Sequence, residues 1–382
     1  MGTIRLQPAR LAAFTPRAIV NVWSVFDLQL AVYALALVVI GLMMAFTNSG
    51  DAPLAGGSLF TRALMWLAIG LMIFTVSAAL DYRWSRTFSW LLYVINLGLL
   101  VLTIAIGSGI GGVSRWVTIL GLQFQFSEVA KVLMAIVLAT WIANHHARIS
   151  SLWTIAGAVL LAGPPLALIL IQPDLGTSLV IGAILFGSLF ISGASLRWLG
   201  AGIVMMLALL PILWTEVLKQ YQRDRLIAFL NPSADPRDAG YQLLQSQIAV
   251  SSGGAFGRGL TNGTTGQDYL PVSSTDFVFS RVGEELGFMG GAVVLILFTL
   301  LIWRVLVIGW RSRDPFGLAF AGGMAGLLLF QVLVNVGMVL GVMPITGIPL
   351  PFITHGGASL VSLALGLGIL ESIAMRQGRP GG

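Results

Sequence analysis

Apolar residues run along this 382-residue chain in long blocks. They show neither the alternation of a half-buried strand nor the single stripe of a surface helix. The blocks fall near 28–46, 59–80, 88–106, 127–143, 152–171, 175–192, 195–218, 288–303, 316–341 and 354–375. A helix needs about 20 apolar residues to cross a hydrocarbon core about 30 Å thick, and most blocks approach that length. Those at 152–171 and 175–192 are parted only by Gln172-Pro173-Asp174. Proline punctuates helices, so the spacing predicts a tight hairpin between two spans. The whole pattern predicts an all-α polytopic membrane protein with about ten transmembrane helices. One large extracellular loop, about 219–287, then lies between helices 7 and 8. No repeat of 20–50 residues interrupts the chain, and 1–382 reads as a single membrane domain.

Composition narrows the class. Hydrophobic residues fill 57% of positions and charged residues 9%, where a soluble domain carries about 25% charged residues. Secreted enzymes and nucleic-acid binders are excluded on that ground. The net charge of +6 marks cytoplasmic loops instead of a nucleic-acid surface. There is no cysteine, and two of the three histidines are adjacent. A thiol nucleophile and a Cys- or His-built metal centre are both ruled out of the reading.

Basic residues alternate by side. Arg5, Arg10 and Arg17 precede the first span, Arg83 and Arg86 follow the second, Arg148 the fourth and Arg197 the sixth. Arg304, Arg311 and Arg313 separate spans eight and nine, and Arg376 and Arg379 end the chain. The other short loops hold only Arg115. The positive-inside rule then places both termini in the cytoplasm and 219–287 outside. Residues 1–27 lack a small-residue cleavage site, so the first span reads as an uncleaved anchor.

Charges at membrane depth are costly and usually face an interior cavity. Glu128 and Lys131 open the fourth span on one helical face, with Ser127 as an expected N-cap. They form either an ion pair at the interface or the charged floor of an outward cavity. Arg115 beside Trp116 is either an interfacial anchor or a planar fork for a phosphate. Asp27, Arg62, Asp174, Glu216 and Glu371 lie near span ends, and interfacial placement is expected for all five.

In the long loop, Arg223-Asp224-Arg225 is followed by a turn-rich stretch with Asp235 and Asp238. Tyr241, Leu244 and Ile248 recur at helical spacing, which predicts a short helix lying on the membrane, with Gln245 and Ser246 pointing elsewhere. A glycine-rich stretch from Gly253 to Gly266 signals sharp turns or close backbone approach. Asp276 precedes Phe277-Val278-Phe279. Apolar surroundings raise a carboxylate's pKa and suit a general base, though the same position also suits a helix cap. Glu284 and Glu285 form either a second acidic site or, the favoured reading, first-turn acids of the eighth span. Between the last two spans, Met343 to Ser359 holds three prolines and three glycines, which predicts non-helical backbone lining a cavity.

These blocks resemble the shape, elongation, division and sporulation family of cell-wall proteins, which includes FtsW, RodA and SpoVE. The likeness covers roughly 28–375. It rests on Arg115-Trp116 with Ser127-Glu128 and Lys131, Gln172-Pro173-Asp174-Leu175-Gly176-Thr177, and Gly240-Tyr241-Gln242 with Gln245-Ser246. Ser252-Gly253-Gly254, Thr275-Asp276-Phe277, Gly283-Glu284-Glu285-Leu286-Gly287, and Pro349-Leu350-Pro351-Phe352 with Gly356-Gly357 complete it. The chain departs from the family pattern at Gln125-Phe126-Ser127-Glu128, at Pro271 to Phe277 and at Thr354 to Ser359, leaving Asp276, Glu128 and Lys131 in place. Gly263-Thr264 and Thr346-Gly347-Ile348-Pro349 are similar to the elongation type.

The resemblance implies a peptidoglycan glycosyltransferase that polymerises lipid II at the outer face of a bacterial cytoplasmic membrane. Asp276 becomes the catalytic carboxylate. Arg115, Trp116, Glu128, Lys131, Gln245, Ser246, Pro351, Gly356 and Gly357 become substrate-binding positions. The implied partner is a class B penicillin-binding protein, and the implied substrates are lipid II and a polyprenyl-pyrophosphate glycan. No cofactor is evident, although a divalent cation, magnesium or manganese, could share the pyrophosphate charge. Two rival readings are a flippase for lipid-linked precursors and a non-catalytic scaffold for the transpeptidase. The small residues Gly317, Ala319, Ala321, Gly322, Gly323, Ala325 and Gly326 of the ninth span are expected to meet either the bundle or the partner's anchor helix.

Overall fold

The structure is a computed structural model that describes residues 25–50, 53–55, 57–107, 115–119, 122–232, 239–263, 276–354 and 356–377. Sequence readings at 1–24, 111–114, 235–238, 264–275, 355 and 378–382 lie outside the described residues.

The apolar blocks fold as helices. In order they are α1 Leu28–Thr47, α2 Leu59–Ala79, a short α3 Tyr82–Thr87, α4 Ser89–Ile106, α5 Phe126–Asn144, α6 Leu152–Ile171, α7 Leu175–Ile191 and α8 Leu196–Ile212. After these come α9 Gln220–Leu230, α10 Ala239–Ser252, α11 Val278–Arg311, α12 Pro315–Val339 and α13 Gly357–Arg376. A two-stranded hairpin, β1 Val117–Ile119 with β2 Leu122–Phe124, sits between α4 and α5, pairing Thr118 with Gln123. Among the described residues, eight helices are long and apolar enough to cross a membrane, and α7 and α8 are shorter apolar helices. Asp174 begins α7 as its cap, accepting from the Thr177 N–H at 3.2 Å, which closes the hairpin expected at Gln172-Pro173-Asp174.

The bundle is centred on α5, α12 and α13, the most buried of the long helices. α12 packs between α7, α5 and α11, and α13 packs on α2 and α5. Small residues let α12 and α7 approach closely. A Cβ on Gly322 would lie 2.7 Å from the Gly187 carbonyl oxygen, and one on Gly326 would lie 2.5 Å from that of Ala183. The small face of the ninth span therefore packs within the bundle and is not left for a partner helix. At the edge stands α8, which contacts little beyond α7 and has Leu199 as its buried residue.

Three of the five span-end charges expected at the interface are buried instead. Asp27 takes both Arg304 Nε and Nη2, at 2.9 and 2.6 Å, and its backbone N–H donates to Glu371 Oε1 at 2.7 Å. This network ties α1, α11 and α13 together. Asp174 is buried as the α7 cap, while Arg62 and Glu216 are exposed as expected. Pairing and hydrogen bonding make the buried charges tolerable.

The eighth span begins earlier than its apolar run suggests. α11 starts at Val278 and breaks at Gly287, whose φ of 68° and ψ of −166° are open to glycine. The chain after α10 seals that break. Arg258 N–H donates to the Glu284 carbonyl at 3.0 Å and Gly259 N–H to that of Glu285 at 3.1 Å. In return Phe288 N–H donates to Gly254 at 2.9 Å and Met289 N–H to Ala255 at 3.1 Å. The backbones are so close that a Cβ on Gly253 or Gly257 would collide with the Gly283 or Glu285 carbonyl. The Ser-Gly-Gly and Gly-Glu-Glu-Leu-Gly blocks are thus two halves of one latch. Glu284 and Glu285 are not first-turn acids: both are buried at the end of the second turn of α11. Glu285 pairs with Arg281 at 2.7 Å, and Arg281 also donates to Asn48 at the end of α1.

Candidate active site

Asp276 sits one residue before the N-cap of α11. That cap is Phe277, which makes no side-chain cap hydrogen bond, so Asp276 does not serve as the cap. Its carboxylate accepts no hydrogen bond among the described residues, and its backbone carbonyl accepts from Asn335 Nδ2 at 2.8 Å. Behind it Phe277, Val278 and Phe279 are buried. The half-buried carboxyl lies against the non-helical segment that follows α12. A Cβ at Gly347 would be 3.3 Å from Asp276 Oδ2 and 3.4 Å from Arg225 Nη1. Asp276 and Arg225 therefore face the same piece of backbone.

Burial pushes the Asp276 carboxyl above its ordinary value. The Arg225 guanidinium opposes that shift, Asp174 adds to it and Arg115 opposes it. Desolvation prevails over the nearby charges, which suits a group that takes up a proton.

A second knot holds this region in place. The Pro173 carbonyl at the α6–α7 hairpin accepts from Tyr221 Oη at 2.7 Å, from Gln222 Nε2 at 3.2 Å and from Arg115. Arg115 also donates to the Gln172 carbonyl at 3.1 Å and to Tyr221 Oη at 2.8 Å. Much of its fork is thus engaged by protein. Trp116 beside it is partly exposed. Arg225 lies over the Tyr221 ring at 5.8 Å, a cation–π contact. Both oxygens of Asp174 are engaged: Oδ1 takes the Thr177 N–H, and Oδ2 takes Thr177 Oγ1 at 2.9 Å and Gln125 Nε2 at 3.1 Å.

Glu128 and Lys131 pair at 2.7 Å with both side chains buried at the N-terminal end of α5. Ser127 lies inside the helix, not at its cap, which is Gln125, and its hydroxyl has no hydrogen-bond partner. Ser246 is buried in α10 and donates to the Leu243 and Val339 carbonyls at 2.8 and 3.1 Å, tying α10 to the end of α12. Gln245, its neighbour, is half-buried, while Leu244 and Ile248 are exposed on the opposite face. Pro351, Gly356 and Gly357 belong to a separate region. Gly356 and Gly357 line an apolar cleft with Phe352, Trp66 and Gly41, and Gly357 lies so close to the Trp66 ring that a Cβ would collide with it. Pro351 is buried beside Phe352.

The described residues hold no group of three or more acids and histidines placed for a cation. Asp174, the neighbouring carboxylate, has both oxygens in use.

Residues 27–378 match the FTSW_RODA_SPOVE family, described as cell cycle protein. The chain belongs to this family. Its members include peptidoglycan glycosyltransferase MrdB of Escherichia coli strain K12, 38% identical over 348 residues, or 91% of this chain and 93% of the relative. Among solved structures, a peptidoglycan synthase complex described as coordinating polymerization and crosslinking matches with a TM-score of 0.80 and 32% identity, covering 93% of this chain and 99% of its counterpart. The rod shape determining protein RodA of Thermus thermophilus matches with a TM-score of 0.70 and 29% identity, covering 94% and 99%. The fold is therefore RodA-like.

Arg225, Tyr221 and Asp174 were not singled out as site residues from the sequence. Arg225 is one of two arginines flanking Asp224, and nothing in that run distinguishes the one that turns toward Asp276.

Proposed function

We propose that Asp276 is the general base of a glycan polymerase. The chain is a peptidoglycan glycosyltransferase, like the relatives it aligns with along nearly its full length. The observation that carries the role of Asp276 is its placement: a half-buried carboxyl, not used as a cap, set against the Gly347 backbone that Arg225 also approaches, with the charges of Arg225 and Arg115 acting on it.

The proposed reaction joins two lipid-anchored substrates at the outer membrane face. Asp276 takes the proton from the 4-hydroxyl of an incoming lipid II. The freed oxygen bonds to the anomeric carbon of the polyprenyl-pyrophosphate glycan, and the carbon–oxygen bond to the pyrophosphate breaks. The leaving group carries off the electron pair, and the α-linked donor becomes a β-linked polymer. Arg225 and Arg115, whose charges act on Asp276, would offset the negative charge that accumulates, and Lys131 would add to this through its buried pair with Glu128. A divalent cation, magnesium or manganese, would share the charge of the pyrophosphate with these side chains.

In this reading the eight long helices together with α7 and α8 make ten spans. Both termini are cytoplasmic, residues 219–287 lie outside, and 1–382 acts as one membrane domain. The alternating arginines support that orientation. The transpeptidase partner is a class B penicillin-binding protein, in keeping with the solved complex that coordinates polymerization and crosslinking. The deciding experiment is polymerisation of labelled lipid II by the purified chain and by its Asp276→Asn variant. An inactive, folded variant supports the reading. Polymer from Asp276→Asn at more than about a tenth of the normal rate defeats it, since loss of a base costs about 10²–10⁴.

A further inference from the structure

Asn335 lies in the last turns of α12 and is wholly buried. Its side-chain amide reaches two segments that are far from each other in sequence. Nδ2 donates to the Asp276 carbonyl at 2.8 Å and to the Ile348 carbonyl at 2.8 Å. Of the two ends of the amide only the NH₂ can donate, and it has one hydrogen for each carbonyl, so the amide's orientation is set by its partners. Neither carbonyl belongs to a regular helix: Asp276 is in a turn and Ile348 in an irregular stretch. Without Asn335 both would be left unpaired in a buried setting, where loose backbone is poorly tolerated.

The second bond matters as much as the first. Ile348 follows Gly347, the backbone that Asp276 Oδ2 and Arg225 Nη1 both approach. One amide thus fixes the main chain that carries the carboxylate and also the surface against which the carboxylate rests. We infer that Asn335 is a positioning residue for the transfer reaction, a clamp that sets Asp276 relative to the Gly347 turn without touching substrate. The inference rests on the reading of Asp276 as the base. The nearest alternative is a role confined to stability. A displaced catalytic group costs about 10²-fold per ångström in rate, whereas a role confined to stability would leave turnover per folded molecule unchanged.

The test uses the full chain, purified, with lipid II as substrate. Asn335→Leu keeps the branched shape and removes the donor, and Asn335→Gln keeps a donor amide. Asn335→Leu is expected to lower kcat by about 10²-fold with KM changed less than about threefold, and Asn335→Gln to recover most of that loss. The acid limb of the rate profile should move to lower pH in Asn335→Leu as Asp276 gains access to water. Because the chain has no cysteine, a thiol introduced by Ile348→Cys reports on this turn alone. Ile348 is buried, so labelling should be slow in the parent and faster once Asn335→Leu is added. If Asn335→Leu does not fold, Asn335→Ser, which keeps a single donor, takes its place in the same comparison. Normal kcat in the donor-free variant, or a loss with neither a pH shift nor faster labelling, overturns the clamp. Asp276→Asn is run alongside. If it is inactive while Asn335→Leu is normal, the clamp alone fails. If Asp276→Asn polymerises normally, the base assignment itself has failed.

Discussion

Lys131 Nζ lies 2.7 Å from Glu128 Oε2, one turn away on α5, and both side chains are out of reach of water. A pair so placed is held together by its own geometry, and either charge alone would be stranded.

Removing one partner of a buried pair costs about 3–5 kcal/mol, mostly through the charge left behind. Lys131→Ala and Glu128→Ala are both expected to lower thermal stability and to impair polymerisation, with Lys131→Ala the more severe. The check is turnover per folded molecule, counted by size-exclusion fluorescence. If turnover is normal and only stability falls, the pair is scaffolding.

The pH dependence follows from Asp276. A base works when ionised, and burial raises this carboxyl above the ordinary aspartate range. Activity should therefore fall as pH drops through the raised value, placing the acid limb above the ordinary carboxylate range. Stability runs the other way. A folded pKa above the unfolded one means that the folded state holds the proton more tightly. The group's contribution to stability is then full below the unfolded pKa and is lost as pH rises through the folded one. Asp276→Asn should abolish polymerisation and unfold no earlier than the parent at neutral pH. A variant that melts markedly earlier would show that the carboxylate is structural.

Much of the bundle was legible in the sequence because spanning helices must be long and apolar. The ten apolar runs correspond to α1, α2 and α4 to α8, then α11 to α13, and the Gln172-Pro173-Asp174 turn falls where proline placed it. The start of α11 was not legible. Val278 to Leu286 carries Arg281, Glu284 and Glu285, and hydropathy cannot tell a buried, mutually paired charge from a solvated one. For the same reason Asp27 and Glu371 read as interfacial, although Arg304, distant in sequence, joins Asp27 in a network with Glu371. Asp276 stood out as a carboxylate among aromatic residues, but its surroundings did not. Arg225, Gly347 and Asn335 come from three separate segments, and only the folded chain brings them together.

The latch across the α11 break can be tested by adding single methyl groups. Gly257 has a φ of 81° and its Cβ position is filled by the Glu285 carbonyl. Gly257→Ala should force the α10–α11 connection away from the break and free four backbone hydrogen bonds. A loss of at least about 1–3 kcal/mol is expected, in line with a strained backbone position. Gly254→Ala, where open space surrounds the Cβ position but φ is 56°, should cost less. Thermal melts of the two variants give the comparison, and equal losses would mean that strain, not collision, governs both.

Orientation has its own test. Gly263 lies in the segment between α10 and α11, which the arginine pattern places outside the cell. A reporter that is active only after export, inserted after Gly263, should give signal, and a cytoplasm-dependent reporter at the same point should not. The reverse result would overturn the topology and move Asp276 to the wrong side of the membrane for a lipid II polymerase.

The last prediction concerns α12, where small residues could serve either the bundle or a partner. The packing favours the bundle, since Gly322 and Gly326 leave no room for a Cβ beside the Gly187 and Ala183 carbonyls of α7. Helices in lipid associate through such close packing of small residues, with little hydrophobic drive between them. Gly322→Leu combined with Gly326→Leu should therefore separate α12 from α7. The chain should be lost from the folded monomer peak even when no transpeptidase is present. Leu329 and Leu333 of the same helix are exposed to the surroundings, and Leu329→Ala with Leu333→Ala should leave the monomer folded. If instead the double glycine variant folds normally alone and fails only to co-purify with a class B penicillin-binding protein, the small face is a partner surface and the α7–α12 contact must be able to open.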